Sequence, residues 1–320
     1  MKNAVKIPLI IAGVLVLLGV LIVVLGFVFG GTGWLFRSGK YEDKTIDVSG
    51  SFESINVETD SCDVRLALAT DGKCRVEGHL QESMKLTAEI VNNTLVIKCK
   101  DSRKWFQLFS FNSSESKMTV YLPREEFKAL NLTGASGDIA IPENFSFKTA
   151  SVATASGDVE MNAKVKDKLE ITSASGDLKL GRIDSGADVK LQTASGDYEL
   201  KDINCGDLVI ALSSGDLQAS SIKASSLKIN GASSEINLNE VVCSGAMTIH
   251  TASGDINFKR CDAGSVKIDT ASGDVEGSFL TEKVFTTHTA SGDVRVPQDG
   301  KGGSCNIDTA SGDINITIAG

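Results

Sequence analysis

Ten near-identical pentapeptides constrain this chain more than any other feature. TASGD opens at Thr154, Thr193, Thr251, Thr270, Thr289 and Thr309, and close variants stand at Gly134 (GASGD), Ser173 (SASGD), Leu212 (LSSGD) and Gly231 (GASSE). Aligned on their fourth position, Gly137, Gly157, Gly176, Gly196, Gly215, Ser234, Gly254, Gly273, Gly292 and Gly312 follow one another at steps of 19 or 20 residues. A fixed period of that length marks an array of stacked units. A catalytic motif is needed once, whereas a motif used ten times is architecture or a multivalent surface.

The columns around the glycine give the unit its shape. Seven and five residues before it stand apolar pairs such as Leu130 and Leu132, Leu169 and Ile171, or Val266 and Ile268. Two and four after it stand Ile139 and Ile141, Leu178 and Leu180, or Ile256 and Phe258. Each unit is therefore a short alternating strand, a turn and a second alternating strand. Inward positions are odd before the glycine and even after it, a change of parity that requires a bend inside TASGD, where glycine supplies the unusual backbone angles. A third apolar position seven after the glycine (Ile183, Ile203, Ile222, Val241, Cys261, Leu280) gives the coil a further corner.

One such unit cannot bury its apolar face, but stacked units share a core. The expectation is an all-β fold: a parallel β-solenoid of about ten 19–20-residue coils over residues 126–320, a rod of roughly 48 Å at the usual strand spacing. The stretch INVETDSCDVRL fits the same columns, with Cys62 in the glycine slot. Residues 46–125 therefore read as an irregular β cap on the N-terminal end. The last unit, DTASGDINITIAG, runs through a full coil and stops. An uncapped coil leaves unpaired backbone and apolar surface, so end-to-end self-association or a docking partner is expected there.

Residues 7–30 contain no charge and are long enough to cross a bilayer as a helix. Lys2 and Lys6 keep the six-residue stub in the cytoplasm, and Trp34 and Phe36 fit an interfacial belt. The expectation is one N-terminal transmembrane helix, a linker over 31–45, and an extracytoplasmic bulk held at the cell membrane as a single-pass protein; the alternative is a long cleaved signal peptide, which also places the bulk outside. The segment RKWFQLFSF, with Trp105, Phe106, Phe109 and Phe111, reads either as a buried hairpin or as an apolar loop contacting membrane or partner. A net charge of −9 argues against nucleic acid as a partner, which needs clustered Lys and Arg.

The units φxφxTASGDφxφ, the preceding DVRLAL and LVIKCK strands, the VYLP before the repeats and the apolar N-terminal segment together resemble a bacterial family of extracytoplasmic β-strand-repeat domains. That family is labelled "putative adhesin" and is of unknown function. The resemblance covers residues 46–320. It implies a surface scaffold without catalytic residues to carry over, and a cell-wall or surface ligand it does not identify.

Several columns could carry chemistry. Asp follows the glycine in nine units and Glu235 in the tenth. Gly157, Asp158, Gly196, Asp197, Gly254, Asp255, Gly273 and Asp274 are thus read as structural turn residues. Stacked carboxylates about 5 Å apart repel by roughly 1 kcal/mol even in water. Hydrogen bonds from turn amides would offset this, and Ca²⁺ is the alternative, although the paired glycines of Ca²⁺-binding nonapeptide repeats are missing. Otherwise no cofactor is expected. An outward column, His250, Asp269, His288 and Asp308, alternates imidazole and carboxylate and could hold a divalent ion. The TASGD serines stand on a ladder with no general base, which argues against nucleophilic catalysis. Among seven cysteines the register places Cys205 and Cys243 two coils apart, too far to bridge, and leaves Cys74 and Cys99 as a pair that could.

Overall fold

The computed structural model describes residues 40–102, 116–183 and 186–319. The expected anchor at 7–30 and the aromatic loop at Trp105, Phe106, Phe109 and Phe111 lie outside them. Among the described residues no helix is long and apolar enough to cross a membrane.

The described chain is all β, and its centre is a parallel β-solenoid. Ten copies of the TASGD corner stack one above another, and the solenoid makes about nine turns. The pairing is in register: Leu169 meets Val189, which meets Leu208, and Ile171 meets Leu191, which meets Ile210. Past the corner, Val159, Leu178, Tyr198 and Leu217 stack in the same way. The inward columns are sealed, with Leu169, Leu191, Leu208 and Leu217 at 0% exposure. Burying these aliphatic ladders is the main force holding rung to rung.

Two corners shape the central coils. TASGD forms the first. The second lies six residues past the glycine, where Arg182, Asp202, Ser221, Glu240 and Arg260 all adopt left-handed backbone with φ of 54–56°. The expected third apolar position then points inward, as at Ile183, Ile203, Ile222 and Val241. One rung slips here: Cys261 faces Phe279, which is fully buried in place of Leu280.

Rung order departs from chain order at both ends. The strand Gly303–Ser311 pairs with Ile256–Ser272 on one side and Lys283–Ser291 on the other. Ile314–Ile318 likewise lies between Val275–Phe279 and Val294–Arg295. The final coil is thus inserted beneath its predecessor. The expectation that the C-terminal coil forms the open end is corrected: residues 283–295 form it. The physical reason sits in the columns. Thr287 occupies the position where the other repeats carry Leu, Val or Ile, and the outermost rung is where a hydroxyl can stay half-exposed.

The N-terminal end mirrors this arrangement. Ser54–Ser61 pairs with Thr94–Asp101 outside and Glu126–Ser136 inside. Asp63–Leu68 is flanked in the same way by Lys117–Leu122 and Ile139–Ile141. Antiparallel strands then close this end. Met84–Val91 covers Thr94–Asp101, while Cys74–Gln81 covers Lys117–Leu122 and is itself paired with Tyr41–Val48. Antiparallel strands satisfy the edge and stop the stack from growing in that direction.

Candidate functional site

At the TASGD corner most of the repeated polar side chains bond within the stack. In several copies the first residue is a buried threonine whose hydroxyl donates to the carbonyl two residues on: Thr154 to Ser156 (2.8 Å), Thr193 to Ser195 (3.1 Å) and Thr251 to Ser253 (3.0 Å); Thr289 donates instead to the Gly312 carbonyl (3.1 Å), and the buried Thr309 hydroxyl has no partner. The serines bond across rungs, as in Ser233 to Ser253 (3.0 Å), or to the alanine carbonyl of the rung before, as in Ser214 to Ala194 (3.2 Å).

Gly196 shows why the fourth position is glycine. Its φ is +130°, and a Cβ there would lie 2.1 Å from the carbonyl oxygen of Gly176 in the next rung. The same close approach recurs along the column. Ser234 is the exception. Its backbone stays out of the left-handed region, its side chain turns inward at 2% exposure, and its Oγ finds no partner.

The aspartate column is a ladder of amide bonds between rungs. The Asp158 amide donates to Asp138 Oδ1 (2.9 Å), Asp177 to Asp158 (2.8 Å), Asp197 to Asp177 (2.9 Å) and Asp216 to Asp197 (2.8 Å). The ladder continues through Glu235, whose amide reaches Asp216 Oδ1 (3.1 Å), and resumes with the Asp274 amide donating to Asp255 Oδ1 (2.9 Å). It also obeys the swapped order, with Asp313 donating to Asp274 and Asp293 donating to Asp313, both at 2.8 Å. A hydrogen bond to a charged acceptor contributes about 1.5–3 kcal/mol, enough to offset the repulsion between stacked carboxylates.

The His/Asp column is re-ordered by the same swap. In space it runs His250, Asp269, Asp308, His288. His250 Nδ1 lies 2.8 Å from Asp269 Oδ2, and Lys267 Nζ reaches the same oxygen at 2.8 Å. Asp269 raises the pKa of Lys267, chiefly through that hydrogen bond. Among the described residues no three His, Cys, Asp or Glu side chains come together to hold a metal ion.

The cysteines are all free and buried. Cys205, Ala224 and Cys243 stack in that order, as the register required. Cys74 and Cys99 form no bridge. Burial pushes Cys74 and Cys261 up to about 11, and Cys205, Cys243 and Cys305 up to about 12, because a thiolate in an apolar core is poorly solvated. None of these five is an activated nucleophile.

What remains outward is a groove of about 670 Å³ beside the second corner, lined by Arg65, Glu143, Glu160, Lys179, Arg182 and Glu199. Glu160, Lys179 and Glu199 stack in register, so charges alternate along it at rung spacing. Arg182 and Glu143 of this lining form an ion pair. The sequence contains this column, but its meeting with the second corner was not legible, because no glycine marks that corner.

These features define a repeat scaffold: a rigid parallel β-solenoid whose repeated residues serve the stack and whose outer columns face solvent. The model of the Toastrack DUF4097 family matches residues 52–239, 164–279 and 220–320, and the chain belongs to that family. Among solved structures, a "putative lipid binding protein" from Parabacteroides distasonis is 20% identical with a TM-score of 0.50, over 87% of this chain and 98% of that one. A "putative adhesin" from Parabacteroides merdae is 14% identical with a TM-score of 0.50, over 75% of this chain and 97% of that one. Both likenesses concern the fold. No curated protein matches the chain.

Proposed function

We propose that this protein is a membrane-anchored, non-enzymatic surface scaffold that presents the outer columns of its solenoid for adhesion or envelope interaction. One observation carries the reading. The repeated chemistry is engaged mostly within the stack: aspartates take amides, five of the six TASGD threonines take carbonyls, and the thiols lie in the core. The surface left for partners is a set of regularly spaced polar columns, with the mixed-charge groove as its contact face. Weak contacts repeated at rung spacing gain strength by avidity. The apolar segment 7–30 supplies the anchor and places the bulk outside the cell.

The test is binding of the full chain to the organism's own cell wall, to foreign glycans and matrix proteins, and to lipid vesicles. The vesicles answer the description of the P. distasonis relative. Saturable binding to foreign material is expected, and its absence across the panel overturns the adhesion reading.

The asymmetry of the two ends favours a second reading, an envelope-associated sensor or regulatory accessory. The N-terminal end is closed by antiparallel strands. The other end presents Lys283–Ser291 with Val284 and Val294 at 50% and 42% exposure. A membrane partner, or a second copy stacking end to end, would dock on that rung. Loss of function on deleting residues 283–295, with wall binding retained, would establish this reading.

A further inference from the structure

The two ends of the rod treat their edges differently. Tyr41–Val48 forms the outer edge of the closed end, and it carries Glu42, Asp43, Lys44 and Asp47. Charges along an edge strand keep other chains from pairing with it. At the other end, among the described residues, Lys283–Ser291 pairs on one side only, with Gly303–Ser311. No bulge or proline interrupts this strand. Its one Lys, Arg, Asp or Glu residue, Lys283, turns its side chain inward at 3% exposure. Val284, Thr286, His288 and Ala290 are exposed, while Phe285, Thr287 and Thr289 continue the inward columns half-buried. Two of the four exposed large apolar residues among the described residues, Val284 and Val294, lie on this rung. An uncharged edge of this kind is a ready template for another strand.

We propose that two copies of this protein join tip to tip through antiparallel pairing of Lys283–Ser291, and that the pair bridges two facing membranes. The unlike ends select a second copy in this arrangement. Head-to-tail stacking would build an open filament, but it needs the closed, charged end to accept a strand. The open rung can instead pair with itself about a two-fold axis, which closes the assembly at two copies. Full overlap of the nine residues puts the axis at Thr287. Val284 then meets Ala290, Thr286 meets His288, and Phe285 meets Thr289, so the half-buried inward columns of one copy run on into those of the other. The first described strand, Tyr41–Val48, lies at the closed end, so the preceding segment leaves the rod at the end away from the pairing rung. In the dimer the two points of departure lie on the order of 100 Å apart at the usual strand spacing, on opposite ends. The inference rests on the open-end and anchor readings above and gives them a partner: the same protein on a facing surface.

The experiment sizes the full chain in detergent by light scattering. The same chain is then reconstituted into phosphatidylcholine vesicles, with flotation to read insertion and turbidity to read tethering. A Thr286→Glu/His288→Glu variant sets like charges directly opposite each other across the axis, and Thr286→Lys/His288→Lys does so with the other sign. The expected result is a wild-type dimer that tethers vesicles, loss of both dimer and tethering in each variant alone, and recovery of both when the two variants are mixed. Recovery requires both variants to be folded, so it separates lost pairing from lost structure. A monomeric wild type, a filament, or a glutamate variant that still dimerises overturns the proposal. A monomeric wild type whose function is lost on deleting residues 283–295 overturns the pairing while the open-end reading stands. Dimers in detergent that do not insert into vesicles uphold the pairing and overturn the bridge together with the anchor reading.

Discussion

Replacing Lys283 with methionine is expected to unzip the C-terminal end of the stack while its middle stays folded. Lys283 lies on the outermost rung with its side chain 3% exposed. It pairs with Gly303, whose missing side chain leaves a slot: a Cβ there would lie 2.0 Å from the Gly264 carbonyl oxygen. Through that slot the ammonium reaches two rungs down, to Asp262 and to the Ala263 carbonyl (2.9 Å), and it also bonds Thr281 Oγ1 (2.8 Å). The latch therefore holds the inserted coil between two others. Removing one partner of a buried pair costs about 3–5 kcal/mol. Asp262 is 14% exposed and keeps bonds from Thr281 Oγ1 (3.0 Å) and the Ala263 amide (2.8 Å). The expected loss is accordingly about 2–3 kcal/mol, a roughly 30- to 150-fold change in the opening equilibrium. Because each rung touches only its neighbours, the loss should stay local. Native-state hydrogen exchange reads it: protection should fall across 283–295 and hold across 146–217. Adding Asp262→Asn should restore part of it by removing the unpaired charge. Unchanged protection at 283–295, or an equal fall along the whole rod, would refute the latch.

Other perturbations follow from the same geometry. Gly196→Ala places a Cβ against the Gly176 carbonyl in a left-handed backbone, and urea melts should show a loss of more than about 2 kcal/mol. Asp197→Ala strips the Asp216 amide of its acceptor and should cost about 1–2 kcal/mol, whereas Asp197→Asn keeps an oxygen there and should cost less. Ser221→Gly relieves a φ of 55° and should raise stability by up to about 1 kcal/mol, since solvent already surrounds that corner. Ca²⁺ and chelator should give the same melting midpoint, because the aspartate ladder is engaged by amides; a rise with Ca²⁺ would show a cation on it.

The columns were legible because burial follows them. Leu130, Ile171 and Leu178 were assigned inward from periodicity, and they are sealed. The parity break located the first corner, and the Asp–amide bonding was anticipated, although the amide belongs to the next rung rather than the same turn. Rung order was not legible. Coils this alike can stack in any sequence, and periodicity carries no information about which lies outermost. The signals that do carry it are small: Thr287 in an aliphatic column, and Gly303 opposite Lys283. The second corner was hidden for a different reason. Arg182, Ser221 and Glu240 hold left-handed angles that sequence ordinarily marks with Gly or Asn, and the stacking on either side overrides that preference.

The central claim is that TASGD builds the stack and the outer columns meet the partner. Binding and melting should therefore separate. The direct measurement compares the wild-type chain, an Asp197→Asn/Asp216→Asn double variant and a Lys179→Glu/Glu199→Lys groove variant on one panel of cell wall, glycans and vesicles. Each chain is melted alongside. The account expects the ladder variant to melt lower and bind as wild type, and the groove variant to melt as wild type and bind weakly. A ladder variant that melts as wild type but no longer binds would contradict it.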